Sequence, residues 1–243
     1  MTNKIWIYHF SAANWQSKDV WIGFFERAQE ILRSKITYLD RRDPVKRKAK
    51  DLDSVSSYII DFDSEENRHS LFGKFEDVNI EFSINICSRE LKEYPNSLTW
   101  YVSTDFLRGE ASTRKLLHLF MTGNSFLGSF YSFGDLLSNI AKKKKPSGAV
   151  DIRRELLGIF WLTYFNSRYV DFLGKEKLKS LKEASFDDNG GANIQLAENV
   201  MDCAEQERER LETLLGIDHF VDPSSYSEKP IGKFALQFDD LKS

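Results

Sequence analysis

Ile159 to Phe165 (IFWLTYF) is apolar or aromatic at nearly every position. A segment without a polar face has no place on a surface, so the run predicts a central strand covered on both faces. It lies inside a longer stretch, GIFWLTYFNSRYVDFLGKEKLKSL (158–181), in which Asn166 and Ser167 make a turn and a short helix ends at Gly174. Covering such a strand requires a core. The chain has 243 residues, of which 41% are hydrophobic and 14% aromatic, with 19 Phe against 5 Pro and 13 Gly. A domain of this length buries roughly 70 to 75% of its unfolded surface. No Gly/Ser-rich or Pro-rich linker divides the sequence, so residues 1–243 read as a single globular domain.

Other segments supply the rest of the fold. Ile5 to Phe10 (IWIYHF) reads as a first strand, rich in β-branched and aromatic residues. Residues 17–35 place Val20, Phe24, Ala28, Ile31 and Leu32 on one helical face, with Ser17 as a candidate N-cap. Val78 to Cys87 alternates Ile80, Phe82, Ile84 and Ile86 with Asn79, Glu81, Ser83 and Asn85, the period of a strand with one buried and one wet face. Leu98 to Ser103 is its expected antiparallel neighbour, joined through a turn at Pro95 and Asn96. A further strand is expected at Ser57 to Phe62. Residues 112–122 and Asp135 to Lys144 read as helices separated by a glycine-bearing aromatic loop. A short strand is expected at Asn193 to Leu196, and a last helix at Asp202 to Leu215 stops at Gly216. The fold class that follows is α+β, a mostly antiparallel sheet with helices packed on one side. The order suggests two β-α-β-β halves, without a residue-level repeat to mark a duplication.

The formal charge is -3 and the isoelectric point about 5.9, so the chain as a whole has no electrostatic attraction to nucleic acid or anionic lipid. Cys87 and Cys203 lie far apart and outside any metal-binding spacing, which suits free thiols in a reducing compartment. The N-terminal apolar stretch is only a few residues, interrupted by His9 and Ser11, too short for a signal-peptide core, and no later segment has eighteen uninterrupted apolar residues to span a membrane, so the expected residence is the cytoplasm. His9, His69, His118 and His219 sit in four different elements, Ser125 lies in a spacing one residue too long for a hydrolase elbow, and Lys142 to Lys145 follow no glycine-rich turn. No catalytic residue, cofactor or metal site is therefore assigned. Asp61, Asp63, Glu65 and Glu66 read either as a solvated acidic strand end or as partial ligands for a divalent cation. Arg41, Arg42, Lys46, Arg47, Lys48 and Lys50 form a basic cluster, without aromatic residues for base stacking. Further acidic groups recur at Asp187 and Asp188, at Glu205, Glu207 and Glu209, and at Asp239 and Asp240. Several acidic patches suit a basic protein partner.

Trp161-Leu-Thr-Tyr-Phe, Tyr169-Val-Asp-Phe-Leu-Gly174 and Lys177-Leu178, continued by Asn193-Ile-Gln-Leu-Ala-Glu-Asn and LLGIDHFVDP, resemble the C-terminal part of bacterial immunity proteins that neutralise polymorphic or contact-delivered toxins, type VI families included. The likeness covers the last third of the chain, and Lys175 stands where that group often has a second glycine. It implies a toxin-neutralising inhibitor and not an enzyme, with a cognate toxin as partner. Asp61, Asp63, Glu65, Glu66, Asp187 and Asp188 are then the expected partner-binding residues. Two other classes stay open: a nucleic-acid-associated factor using residues 41–50, and an enzyme whose site assembles only in three dimensions. A convergent cleft of carboxylates and histidines would favour the enzyme.

Overall fold

A computed structural model describes residues 4–15, 18–41, 43–49, 51–52, 68–87, 94–146 and 150–241. The chain divides into two compact units, Met1–Ser129 and Phe130–Ser243. Both are α+β, and every strand pairing within either unit is antiparallel.

In unit 1 the strands are β1 (Lys4–Ser11), β2 (Tyr38–Asp40), β3 (Arg68–Phe75), β4 (Ile80–Cys87) and β5 (Asn96–Ser103), in the order β2-β3-β4-β5-β1. Two helices, α1 (Lys18–Leu32) and α2 (Glu110–Phe126), cover one face. That face is set by register, because Ile7 lies opposite Trp100 and Trp100 opposite Phe82. Helix α1 meets it with Phe24 against Trp100, ring centroids 5.9 Å apart, and Phe25 against Phe82 at 5.1 Å. The buried side of α1 is Trp21, Phe24, Phe25, Ala28 and Leu32, displaced slightly from the expected face, while Val20 and Ile31 are half-buried. Gly73 faces Phe82 across the β3-β4 ladder, and a Cβ there would lie 2.1 to 2.8 Å from three atoms of the Phe82 ring. Only glycine lets the ring lie flat on the neighbouring backbone. The opposite face carries Trp6, Tyr8, Phe10 and Tyr101, all half-buried, with Tyr8 and Phe10 stacked at 6.0 Å and Trp6 edge-on to Tyr101 at 5.1 Å.

Unit 2 is built on β6 (Ser129–Leu136), β7 (Leu162–Phe165), β8 (Ala184–Phe186) and β9 (Ala192–Gln195), in the order β6-β7-β9-β8. Its helices are α3 (Leu137–Lys142), α4 (Ser167–Leu173), α5 (Lys175–Lys179), α6 (Glu205–Leu215) and α7 (Phe238–Leu241). The expected central strand is present: β7 lies between β6 and β9, and all four of its residues are buried. It starts three residues later than the apolar run because side chains take the amides ahead of it. Ile159 N donates to Glu212 Oε1 (2.9 Å), Phe160 N to Thr163 Oγ1 (2.9 Å) and Trp161 N to Asp135 Oδ2 (2.9 Å). Helix α6 ends at Gly216, whose φ of +114° lies in the range that favours glycine.

The glycine-bearing segment 123–134 differs from its expected loop. Helix α2 runs on to Phe126, a turn at Leu127 and Gly128 follows, and β6 takes up SFYSFGDL. Asp135 consequently belongs to a strand, and the helix after it is only Leu137–Lys142. The strand expected at Ser57 to Phe62 lies outside the described residues. Both units begin β-α-β, but their pairing differs: β1 pairs within unit 1 with the last strand, β5, whereas β6 pairs within unit 2 with the next strand, β7.

Candidate functional site

Four of the six expected partner-binding residues, Asp61, Asp63, Glu65 and Glu66, lie outside the described residues. Asp187 and Asp188 sit in the β8-β9 turn with different surroundings. Asp187 Oδ1 accepts Asn189 N (3.0 Å) and Gly191 N (2.8 Å), while Oδ2 accepts the Tyr164 hydroxyl at 3.2 Å. Its carboxylate is thereby used to shape the turn. Asp188 is exposed.

His9, His118 and His219 do not converge. His9 is buried in unit 1, where Nδ1 donates to Asn124 Oδ1 at 3.1 Å and Nε2 has no partner. Burial lowers its pKa from 6.5 to about 4, only partly opposed by the Asn124 hydrogen bond, so the ring is neutral at pH 7. His118 is exposed on α2, and His219 packs on Phe172 at 4.7 Å in unit 2. Among the described residues neither Cys87 nor Cys203 is in a disulfide, and burial, reinforced by Asp135, pushes the Cys203 thiol up to about 12. Such a thiol stays protonated and unreactive. Among the described residues no group of three or more His, Cys, Asp or Glu is placed to hold a metal ion. No helix of the described residues is long and apolar enough to cross a membrane.

The described part of the basic cluster flanks the edge strand β2. Leu39 N donates to Arg47 O (2.8 Å), Ala49 N donates to Thr37 O (2.9 Å), and Tyr38 bridges to Lys48. Cationic side chains along a sheet edge discourage pairing with other chains, which gives this run a structural role.

Unit 2 holds its charges differently, with several buried in pairs. Asp135 is fully buried and Arg208 nearly so; Arg208 Nη2 donates to Asp135 Oδ2 at 2.9 Å. Asn139 Nδ2 and Leu136 N donate to Asp135 Oδ1. Glu212, 2% exposed, accepts both the Ile159 amide and Lys143 Nζ (2.7 and 2.8 Å). Glu155 is buried against Lys145 and Lys229. These carboxylates tie the loops ahead of β7 to α6 and so fix the scaffold. Sequence spacing gives no sign of the contacts Glu212–Ile159, Glu212–Lys143, Asp135–Arg208 and Glu155–Lys229, whose partners are 53 to 74 positions apart.

The surface of unit 2 includes a concave site with mixed chemistry. Helix α4 buries Tyr169, Val170 and Leu173, which turns Arg168, Asp171 and Phe172 outward at i, i+3 and i+4. Helix α7 buries Phe238 and Leu241 and leaves Asp239 and Asp240 exposed. Together with Leu236, these outward residues line a pocket of about 470 Å³. The lining thus combines three carboxylates, one guanidinium and two half-buried apolar side chains, Phe172 and Leu236, and Asp240 Oδ2 accepts Gln237 N at 3.2 Å. In the sequence Asp239 and Asp240 stand out as an acidic pair, while α4 shows only as the short helix that ends at Gly174. Its outward face was hidden by the strength of its aromatic one.

No protein-family model matches the chain, and no curated protein matches it either. Among solved structures it is similar to Pseudomonas aeruginosa T6SS protein PA0821, with a TM-score of 0.59 and 15% sequence identity. The match covers 99% of this chain and 81% of that one, so the two share a fold along almost the whole of this chain.

Proposed function

We propose that this chain is an immunity protein of a type VI secretion system, which binds a cognate toxin domain in the cytoplasm and occludes it without turning over a substrate. The observation that carries the reading is the fold held in common with T6SS protein PA0821 over 99% of the chain. The C-terminal motif from Trp161 to Lys177, with its likeness to immunity families, points the same way.

Charge and rigidity support it. Residues 130–243 carry 16 Lys+Arg against 19 Asp+Glu, whereas residues 1–129 carry 18 of each, so the net negative charge belongs to unit 2. Lys143, Lys145 and Arg208 pair with three internal carboxylates, Glu212, Glu155 and Asp135, so the excess of three acids lies with the remaining charges of that unit. An acidic surface speeds encounter with a basic partner. A scaffold fixed by buried pairs loses little further freedom on binding, which favours affinity.

The test is co-purification. The chain is expressed with the C-terminal domain of the large secretion-linked protein encoded immediately upstream, and the complex is examined by size exclusion and native mass spectrometry. A stable complex is expected. Separate elution of the two proteins would count against the reading for that toxin.

A further inference from the structure

We infer that residues 222–234 form a latched strap, which lifts off the body of unit 2 as one piece while the rest of that unit stays folded. The attachment of the strap is independent of the identity of any partner.

Residues 222–234 contain no helix or strand, and every one of them is exposed or half-buried. Buried apolar anchors stand at the two ends, Phe220 and Val221 before the strap and Ala235 and Phe238 after it. Val221 N donates to Leu156 O at 2.9 Å, and Phe238 packs on Phe130 at 5.8 Å. Between those ends no buried side chain of the segment holds it to the core. The half-buried Phe234 ring lies under Lys229 (4.9 Å) and Lys233 (5.1 Å) of the same strap, so those contacts move with it.

The middle is held by charged groups on backbone carbonyls. Lys145 Nζ donates to Ser227 O at 3.0 Å, and Arg154 Nη1 donates to Lys229 O at 2.8 Å. Beside them Gly232 N donates to Arg153 O at 3.1 Å. Lys229 reaches the other way, from the strap to Asp218 O and Phe220 O and, at 3.3 Å, to Glu155 Oε2. Its hydrogens go to the two carbonyls, which leaves Glu155 Oε2 an ion-pair contact without a hydrogen bond.

Lifting the strap strands no buried charge. Glu155 is 3% exposed, and its Oε1 is paired with Lys145 in the body of unit 2, so the carboxylate keeps a counter-ion when Lys229 leaves. The departing ammonium and the freed carbonyls exchange their bonds for bonds to water. A segment of this kind belongs to the low-stability end of a fold, where local openings lie below the global one. Its turn presents Tyr226, 77% exposed, the most exposed large apolar side chain among the described residues. The element that moves is thus one that offers an aromatic contact to a protein partner.

The experiment follows amide hydrogen exchange by NMR on the full chain. Gly232 N, bonded to Arg153 O, reports the strap, and Leu196 N, bonded to Trp161 O, reports the body. In the parent, Gly232 is expected to exchange faster than Leu196 and at a rate that urea below the unfolding transition leaves unchanged, because a local opening exposes little surface. Lys229→Met should speed exchange at Gly232 about tenfold, and Lys229→Met/Arg154→Met about 100-fold, while Leu196 stays protected. The control is Lys233→Met, a strap lysine whose ammonium lies over Phe234, which should change Gly232 by less than about twofold. Equal urea dependence at Gly232 and Leu196 would show that the strap opens only with the whole unit and would overturn the inference. So would a double variant in which Leu196 loses its protection, or in which Gly232 keeps the parent's rate. A Gly232 amide that exchanges in the parent as fast as in an unstructured peptide would overturn the latch.

Discussion

Replacing Arg208 with methionine tests the claim that buried ion pairs, and not the ion pairs on the surface, fix unit 2. The Arg208 side chain is 6% exposed and Asp135 is fully buried, with 2.9 Å between Nη2 and Oδ2. Met keeps much of the volume and removes the charge. Asp135 would retain Trp161 N, Asn139 Nδ2 and Leu136 N as donors but would lose its counter-ion at a fully buried position. Breaking a buried pair from one side costs about 3 to 5 kcal/mol, and the three surviving donors place this case near 3. For a chain of this length that is a fall in Tm of about 6 to 12 °C. The control is Glu205→Gln, which removes a partner of Lys142 at the slightly shorter distance of 2.7 Å, with both side chains 56% exposed. That change should cost no more than a few tenths of a kcal/mol. Thermal unfolding by circular dichroism, with urea midpoints in parallel, reads both. A loss below 1 kcal/mol for Arg208→Met, or equal losses for the two variants, would refute the reasoning.

Three further outcomes follow from the geometry. His9 has a folded pKa of about 4 against 6.5 unfolded, so its contribution is complete above pH 6.5 and is lost as pH falls toward 4. The loss amounts to about 3 kcal/mol. His9→Gln should flatten the stability profile over that window in urea titrations, and an unchanged slope would contradict the neutral, buried state. Gly73→Ala should destabilise unit 1 by about 1 to 3 kcal/mol, since the new methyl would overlap the Phe82 ring, and a urea midpoint equal to the parent's would show that the ring moves freely. Asp187→Ala should lower the melting temperature by removing the acceptor for Asn189 N, Gly191 N and the Tyr164 hydroxyl, at a cost of about 1 to 3 kcal/mol. Asp188→Ala should leave the melt unchanged, and equal effects would contradict the different roles given to the two carboxylates.

Periodicity made part of this fold legible. The alternation at Ile80 to Ile86 and the helical spacing at Phe24, Ala28 and Leu32 recur in the structure because each element buries one face, and one buried face leaves a repeating mark. The run before Phe165 was equally readable as a strand buried on both faces, although its length was not. Its first three amides are held by Glu212, Thr163 and Asp135, and no local pattern announces a carboxylate 53 positions away. Strand β6 was obscured by Gly128 and Gly134, which look like loop punctuation, and by an alternation that vanishes where every residue but the last is buried. Strands β2 and β8 are three residues each, too short to show a period.

The candidate site was legible only in fragments. Asp239 and Asp240 were visible as an acidic pair, but their neighbours Arg168, Asp171 and Phe172 lie on the outward side of a helix whose inward side dominates the sequence. A pocket made from two distant helices requires the chain to fold before its residues become neighbours. Asp187 shows the converse, since a carboxylate that looks available in the sequence is spent on its own turn.

The most direct test of the central claim is survival on co-expression. Cells carrying the upstream toxin domain under an inducible promoter are plated with and without this chain, and colony counts are compared with an empty vector. The immunity account predicts that survival is restored with the chain. Survival no better than with the empty vector, while the chain is folded and expressed, would contradict it.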